Sequence, residues 1–155
     1  ITRIITHEVD RPNGLIMTPD DRFLFVADNN NKAGGSRKLW RFKMTPAGDT
    51  IPESQTLVHD WGTTRGPDGV KLDAAGRLYV AAGLNSPNPP HETAMKPTAG
   101  IYVFSPAGDL LTFAPIPRDE TTNCAFGDPD GKTLFVTAGG TLWRLRTTSP
   151  GAGLK

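Results

Sequence analysis

Three stretches of this chain read as copies of one another: Pro12-Asn-Gly-Leu-Ile-Met-Thr-Pro-Asp-Asp-Arg-Phe-Leu-Phe-Val-Ala27, Pro67-Asp-Gly-Val-Lys-Leu-Asp-Ala-Ala-Gly-Arg-Leu-Tyr-Val-Ala-Ala82 and Thr122-Asn-Cys-Ala-Phe-Gly-Asp-Pro-Asp-Gly-Lys-Thr-Leu-Phe-Val-Thr137. Superposed on their second residues, they bring Asn13, Asp68 and Asn123 into register at two successive intervals of 55 residues. A repeat of that length is a supersecondary unit that cannot bury its apolar face alone. It restricts the chain to a propeller or a solenoid.

Each unit divides in the same way. A short apolar run (Gly14 to Thr18, Gly69 to Asp73, Cys124 to Gly127) meets an Asp-, Pro- or Gly-rich turn. A β-branched and aromatic run follows (Phe23 to Ala27, Leu78 to Ala82, Leu134 to Thr137), then a third at Lys38 to Phe42, Gly100 to Phe104 and Thr141 to Leu145. A fourth is readable at Gln55 to His59 and at Leu110 to Ala114. These are strand patterns, and no stretch sustains a 3.6-residue apolar period, so helix is expected to be nearly absent. Composition agrees: 17 glycines, 14 prolines and 12 aspartates against four glutamates make a chain rich in turn formers.

Four antiparallel strands at this period make one propeller blade. With an opening strand at Arg3 to Glu8, the pattern predicts twelve strands, or three blades. Closed propellers typically need four to eight blades. The reading is therefore a single all-β unit over residues 1–155, a partial β-propeller with blade repeats beginning near 12, 67 and 122. It amounts to half of a six-bladed ring, completed by a missing half (the preferred reading) or by a second copy.

Charge excludes some partners. Seventeen basic and sixteen acidic residues are interspersed, with no basic stripe for nucleic acid and no polybasic run for a membrane. The longest apolar runs have only strand length. One cysteine, Cys124, rules out an internal disulfide and leaves the compartment undetermined.

In a propeller the first strand of each blade lines the central channel, so Asn13, Asp68 and Asn123 are expected to converge near one mouth. Two amides and a carboxylate are hard donors, suited to Ca²⁺ and compatible with Zn²⁺ on oxygen. The other reading is turn chemistry, since Pro-Asn-Gly and Pro-Asp-Gly are ordinary turn tripeptides. The third copy, Thr-Asn-Cys, lacks both Pro and Gly yet keeps the Asn, which favours ligation. His91-Glu92 lies in a long stretch, Leu84 to Thr98, that reads as a solvated excursion or as a loop over a mouth. His59, His7 and the Asp28-Asn-Asn-Asn-Lys loop read as structural, the loop having a lesser claim to face the channel. Cys124 reads as a small buried hydrophobe. No Gly-x-Ser-x-Gly is present.

At Arg11-Pro-Asn-Gly-Leu, Gly66-Pro-Asp-Gly-Val-Lys-Leu-Asp, Gly76-Arg-Leu-Tyr-Val-Ala-Ala, Thr122-Asn-Cys-Ala-Phe-Gly and Ala138-Gly-Gly-Thr-Leu-Trp-Arg-Leu, the chain resembles the gluconolactonase/regucalcin (senescence marker protein) family, from about Arg3 to Arg146. The likeness is to the C-terminal half of six-bladed members. It implies that Asn13 and Asp68 are metal ligands and that Asn123 faces substrate or assists the metal. It also implies a Glu ligand and substrate-contacting Arg and Asn residues in blades outside this sequence. The implied activity is hydrolysis of a sugar lactone with one divalent ion, Ca²⁺ before Zn²⁺, polarising the carbonyl while Asp68 orients or deprotonates water. Two alternatives stand beside it: another metal-dependent esterase or phosphotriesterase on the same scaffold, and a non-catalytic propeller binding module.

Overall fold

The computed structural model describes residues 1–153 and folds them into eleven strands in three antiparallel sheets, with no helix among the described residues. The first blade is β1 (Pro12–Met17), β2 (Phe23–Asn29), β3 (Arg37–Met44) and β4 (Thr50–Asp60). The second is β5 (Val70–Leu72), β6 (Leu78–Ala82), β7 (Gly100–Phe104) and β8 (Leu110–Pro115). The third is β9 (Thr121–Gly127), β10 (Thr133–Ala138) and β11 (Thr141–Arg146). Within each sheet, strands pair in chain order. β1 lies beside β5 and β5 beside β9, so the first strands form the inner row of a partial propeller.

The repeat has a backbone cause. The turn from first to second strand closes alike in every blade: the N–H groups of Asp21, Gly76 and Gly131 donate to the carbonyls of Thr18, Asp73 and Asp128. All three residues have positive φ, at 56°, 77° and 64°. Two are glycine, which takes that conformation without strain, and the third is Asp, which tolerates it.

Because side chains alternate across a strand, every blade presents two apolar faces. Phe25, Ala27 and Leu39 of the first blade pack against Val70, Leu72, Leu78 and Val80 of the second, with Trp61, Tyr102 and Phe104 sealing the outer end. The second blade's other face, Tyr79, Ala81, Ile101 and Val103, packs on Cys124, Leu134, Val136 and Ala138 of the third. Each fully buried Leu, Ile or Phe contributes about 1.5–3 kcal/mol of transfer free energy.

The expected strand at Arg3 to Glu8 does not form; those residues are irregular coil and bends. Their backbone is held by side chains instead of a ladder. Gln55 Nε2 donates to the Glu8 carbonyl at 2.5 Å, Thr50 Oγ1 donates to the Ile4 carbonyl, and the amides of Asp10 and Arg11 donate to the Asp28 carboxylate. The segment lays Ile5 and Val9 over Leu24, Val26 and Phe42, covering the first blade's outer face. The third blade has no such cover. The accessible surface, 8227 Å², exceeds the roughly 7,600 Å² of a compact monomer of this mass, as an open arc requires.

Candidate functional site

Asn13 and Asp68 meet. Asn13 sits in β1, and Asp68 lies just before β5. The Gly14 amide donates to the Asp68 carbonyl at 3.0 Å, which draws the two first strands together. Asn13 Nδ2 then donates to Asp68 Oδ1 at 2.6 Å. Asn29, at the end of β2, donates from Nδ2 to the same oxygen at 2.7 Å. Asn123 stands one blade further on. Its side chain rests against Gly69, and its Oδ1 accepts from the Cys124 amide at 2.9 Å; no hydrogen bond joins it to Asp68.

The glycines of the two tripeptides are explained by this approach. A Cβ on Gly14 would lie 2.1 Å from the Asp68 carbonyl oxygen, and one on Gly69 would lie 2.3 Å from Asn123 Oδ1. Neither glycine has positive φ, so turn geometry is not what requires them. In the third copy Cys124 takes this place, buried with its Sγ against the Tyr79 carbonyl. Burial pushes its thiol up to about 12, which makes it inert.

Around Asp68 stand Arg65 and Glu120, which the sequence did not single out, and Glu92, which it marked only as part of a loop. Arg65 reaches three carboxylates: Nε lies 3.7 Å from Asp68 Oδ2, and Nη1 lies 3.5 Å from Glu92 Oε1 and 3.0 Å from Glu120 Oε1. Asp68 and Glu92 side chains are 6% and 1% exposed, whereas Glu120 is 40% exposed. Asn88 Nδ2 donates to Glu92 Oε2 at 2.7 Å. Glu92 belongs to the Leu84 to Thr98 stretch, which is exposed over residues 86–91 yet turns Glu92 inward. It is held by the Thr93 amide on the Thr63 carbonyl and by Arg37 Nη2 on the His91 carbonyl. Burial raises the Asp68 carboxyl above its ordinary value, the Asn29 hydrogen bond and the Arg65 charge oppose this, and the Glu92 charge adds to it.

Among the described residues, no three His, Cys, Asp or Glu side chains form a metal-ligating group. The donors at Asp68 are of another kind, one carboxylate and two amides. Asn29 Oδ1 is buried without a hydrogen-bond partner. Turning that amide over would place an oxygen where its nitrogen now meets Asp68. Counting Asp68, Glu92 and Glu120 against Arg65, the cluster carries two uncompensated negative charges. Hard oxygen donors and a surplus of negative charge fit a divalent cation such as Ca²⁺.

The other histidines have structural surroundings. His59 stacks edge-on against Trp61 at 4.5 Å between ring centroids and lies near Tyr102 and Phe104. His7 is exposed; its ring meets the Thr6 hydroxyl and its amide donates to Glu8 Oε2, both adjacent residues.

Comparison with known proteins places the chain. A family model described as the SMP-30/gluconolactonase/LRE-like region matches residues 1–140. The gluconolactonase of Zymomonas mobilis is 31% identical over 156 aligned residues, covering 96% of this chain and 38% of that protein. Among solved structures, a gluconolactonase of Xanthomonas campestris superposes with a TM-score of 0.66 at 27% identity, over 92% of this chain and 39% of that one. The calcium-binding protein regucalcin from Agrobacterium tumefaciens superposes with a TM-score of 0.61 over 83% of this chain and 38% of its own; at 21% identity that likeness shows the fold alone. The chain thus spans about two fifths of the length of these relatives. With its inner-row motif and three blades accounted for, it belongs to the SMP-30/gluconolactonase/LRE-like family.

Proposed function

We propose that this chain carries part of a site that hydrolyses a sugar lactone to the open hydroxy acid, with Asp68 as its reactive carboxylate. The observation that carries this reading is the division of labour on Asp68. Two amides hold Oδ1, while Oδ2 accepts no direct hydrogen bond and faces Arg65 at 3.7 Å. The free oxygen is the one able to orient a water and accept its proton, acting as a weak base because a bound cation lowers its pKa.

In the reaction, the water oxygen bonds to the lactone carbonyl carbon, whose π electrons move onto oxygen. Collapse of that adduct breaks the ring C–O bond, and the ring oxygen leaves as a hydroxyl by taking the proton that Asp68 accepted from the water, which returns Asp68 to its carboxylate. Asp68 and, with their amides turned to present oxygen, Asn13 and Asn29 are the residues proposed to hold a divalent cation, Ca²⁺ before Zn²⁺. Such an ion supplies Lewis-acid polarisation of a carbonyl when bound. Asn123, exposed on the inner row one blade on, is proposed to face the substrate. The family relationship supports the substrate class, since both gluconolactonases above are its relatives.

The test is acid release from glucono-δ-lactone in a pH-stat, before EDTA, after EDTA and after adding back Ca²⁺ or Zn²⁺. Turnover lost to EDTA, restored by the ion and abolished in Asp68→Asn is the expected result. Full activity of Asp68→Asn removes that residue from the mechanism. Turnover of aryl esters or phosphotriesters in place of lactones assigns a different hydrolase; no turnover under any metal shows that the partial site is insufficient by itself, and the full-length protein is then tested, while a full-length protein that neither turns over nor responds to metal is a binding module.

A further inference from the structure

We propose that Arg65 is a substrate-contacting residue, a guanidinium held on one side by acidic residues so that its other side meets an oxygen of the ligand beside Asp68. This rests on the lactonase reading, in which that oxygen belongs to the lactone carbonyl or the product carboxylate.

A guanidinium is a rigid planar fork of five N–H groups. Nη1 is occupied by Glu92 and Glu120, at 3.5 and 3.0 Å. Nε is buried, faces Asp68 Oδ2 at 3.7 Å and makes no hydrogen bond. Among the described residues Nη2 bonds to no protein group, and it is not among the buried atoms left without a partner, so this nitrogen is the one left to solvent. The side chain as a whole is only 16% exposed. A salt bridge serving structure alone, at such burial, directs its remaining donors into protein acceptors. Here they are left facing out.

The three acids also come from three places: Asp68 before β5, Glu92 in the β6–β7 loop and Glu120 before β9. Together they fix the plane of the guanidinium before any ligand arrives, so little side-chain entropy is lost on binding. Glu92 and Glu120 are thereby positioning residues. The fork is matched to a carboxylate or to the developing oxyanion of an ester, and its charge counts most where Glu92 and Asp68 are screened from water.

The experiment measures D-gluconate binding by calorimetry, with Ca²⁺ present, for the wild type and for Arg65→Lys, which keeps the charge towards Glu92 and Glu120 but removes the fork. Lactone kinetics are run beside it. Gluconate binding weakened about 10- to 100-fold, with a melting temperature little changed, is expected for the loss of one charge-assisted bond. The loss in turnover is expected mainly in kcat. Unchanged gluconate affinity in Arg65→Lys overturns the proposal, as does a wild type that turns over lactone without binding gluconate. Arg65-dependent gluconate binding without lactone turnover sustains the proposal and sinks the lactonase reading. Should Arg65→Lys fail to fold, the Arg65 guanidinium resonances of the wild type decide: a shift on adding gluconate supports the contact and no shift overturns it.

Discussion

Gly69 illustrates how a single missing atom joins two blades. Its Cα lies so near Asn123 that any side chain must push the third blade's first strand outward. Because the obstacle includes Asn123 Cα as well as its amide, rotation of a flexible side chain cannot relieve it. Gly69→Ala is expected to lower stability by about 1–3 kcal/mol, the usual cost of overpacking, measured as a drop in the urea midpoint. His59 makes a different residue-scale prediction. Burial among aromatic rings lowers its pKa below the ordinary value of 6.5, against the opposing charge of Asp60. Its Nε2 is buried without a partner, so protonation finds no acceptor. The unfolded chain binds this proton at higher pH than the folded one. Stability contributed by the neutral ring is therefore complete above pH 6.5 and falls as pH drops through the window below it. Chemical denaturation at pH 7.5 and 5.5 checks this: the midpoint falls in the wild type, and the fall is smaller in His59→Phe.

Two elements depart from their strand-by-strand expectation, for related reasons. The run Arg3 to Glu8 has strand-like composition, but side chains of β4 and Asp28, not a backbone ladder, hold this segment, and it stays coil. The 84–99 stretch, rich in Pro and Asn, has no apolar period to betray that it is docked. What docks it is the Arg65–Glu92 pair and the Thr93–Thr63 hydrogen bond, contacts made with residues some thirty positions earlier in the chain. Glu92→Gln keeps the shape and removes the charge. It is expected to raise hydrogen-exchange rates at the Asn88, Glu92 and Thr93 amides about tenfold or more, while β6 and β7 keep their protection. Equal protection in the variant would show that the loop stands without the ion pair.

At the scale of the whole molecule, the two outer faces of the arc are unequal. The first blade is covered by residues 1–11, whereas on the third Leu142 is 68% exposed and flanks a groove of about 170 Å³ with Ala125 and Phe135. An apolar face of a repeat unit favours association with another apolar face. The 155-residue polypeptide is therefore expected to gain mass with concentration in sedimentation, and Leu142→Lys to suppress that gain. A monomer at all concentrations would show that the face is tolerated. The sequence by itself determined the blades: strand patterns, turn residues and the 55-residue interval are local properties, so eleven of twelve strands, the absence of helix and the inner-row placement of Asn13 and Asp68 were legible. It also identified the family. Arg65 and Glu120 were not legible, because they occupy no shared register position and carry no motif, while Asn29 and Glu92 were marked only within stretches read first as structural or solvated. They come together only when adjacent blades pack, and desolvation then forces their charges and amides to seek one another. That proximity is a property of the tertiary structure alone.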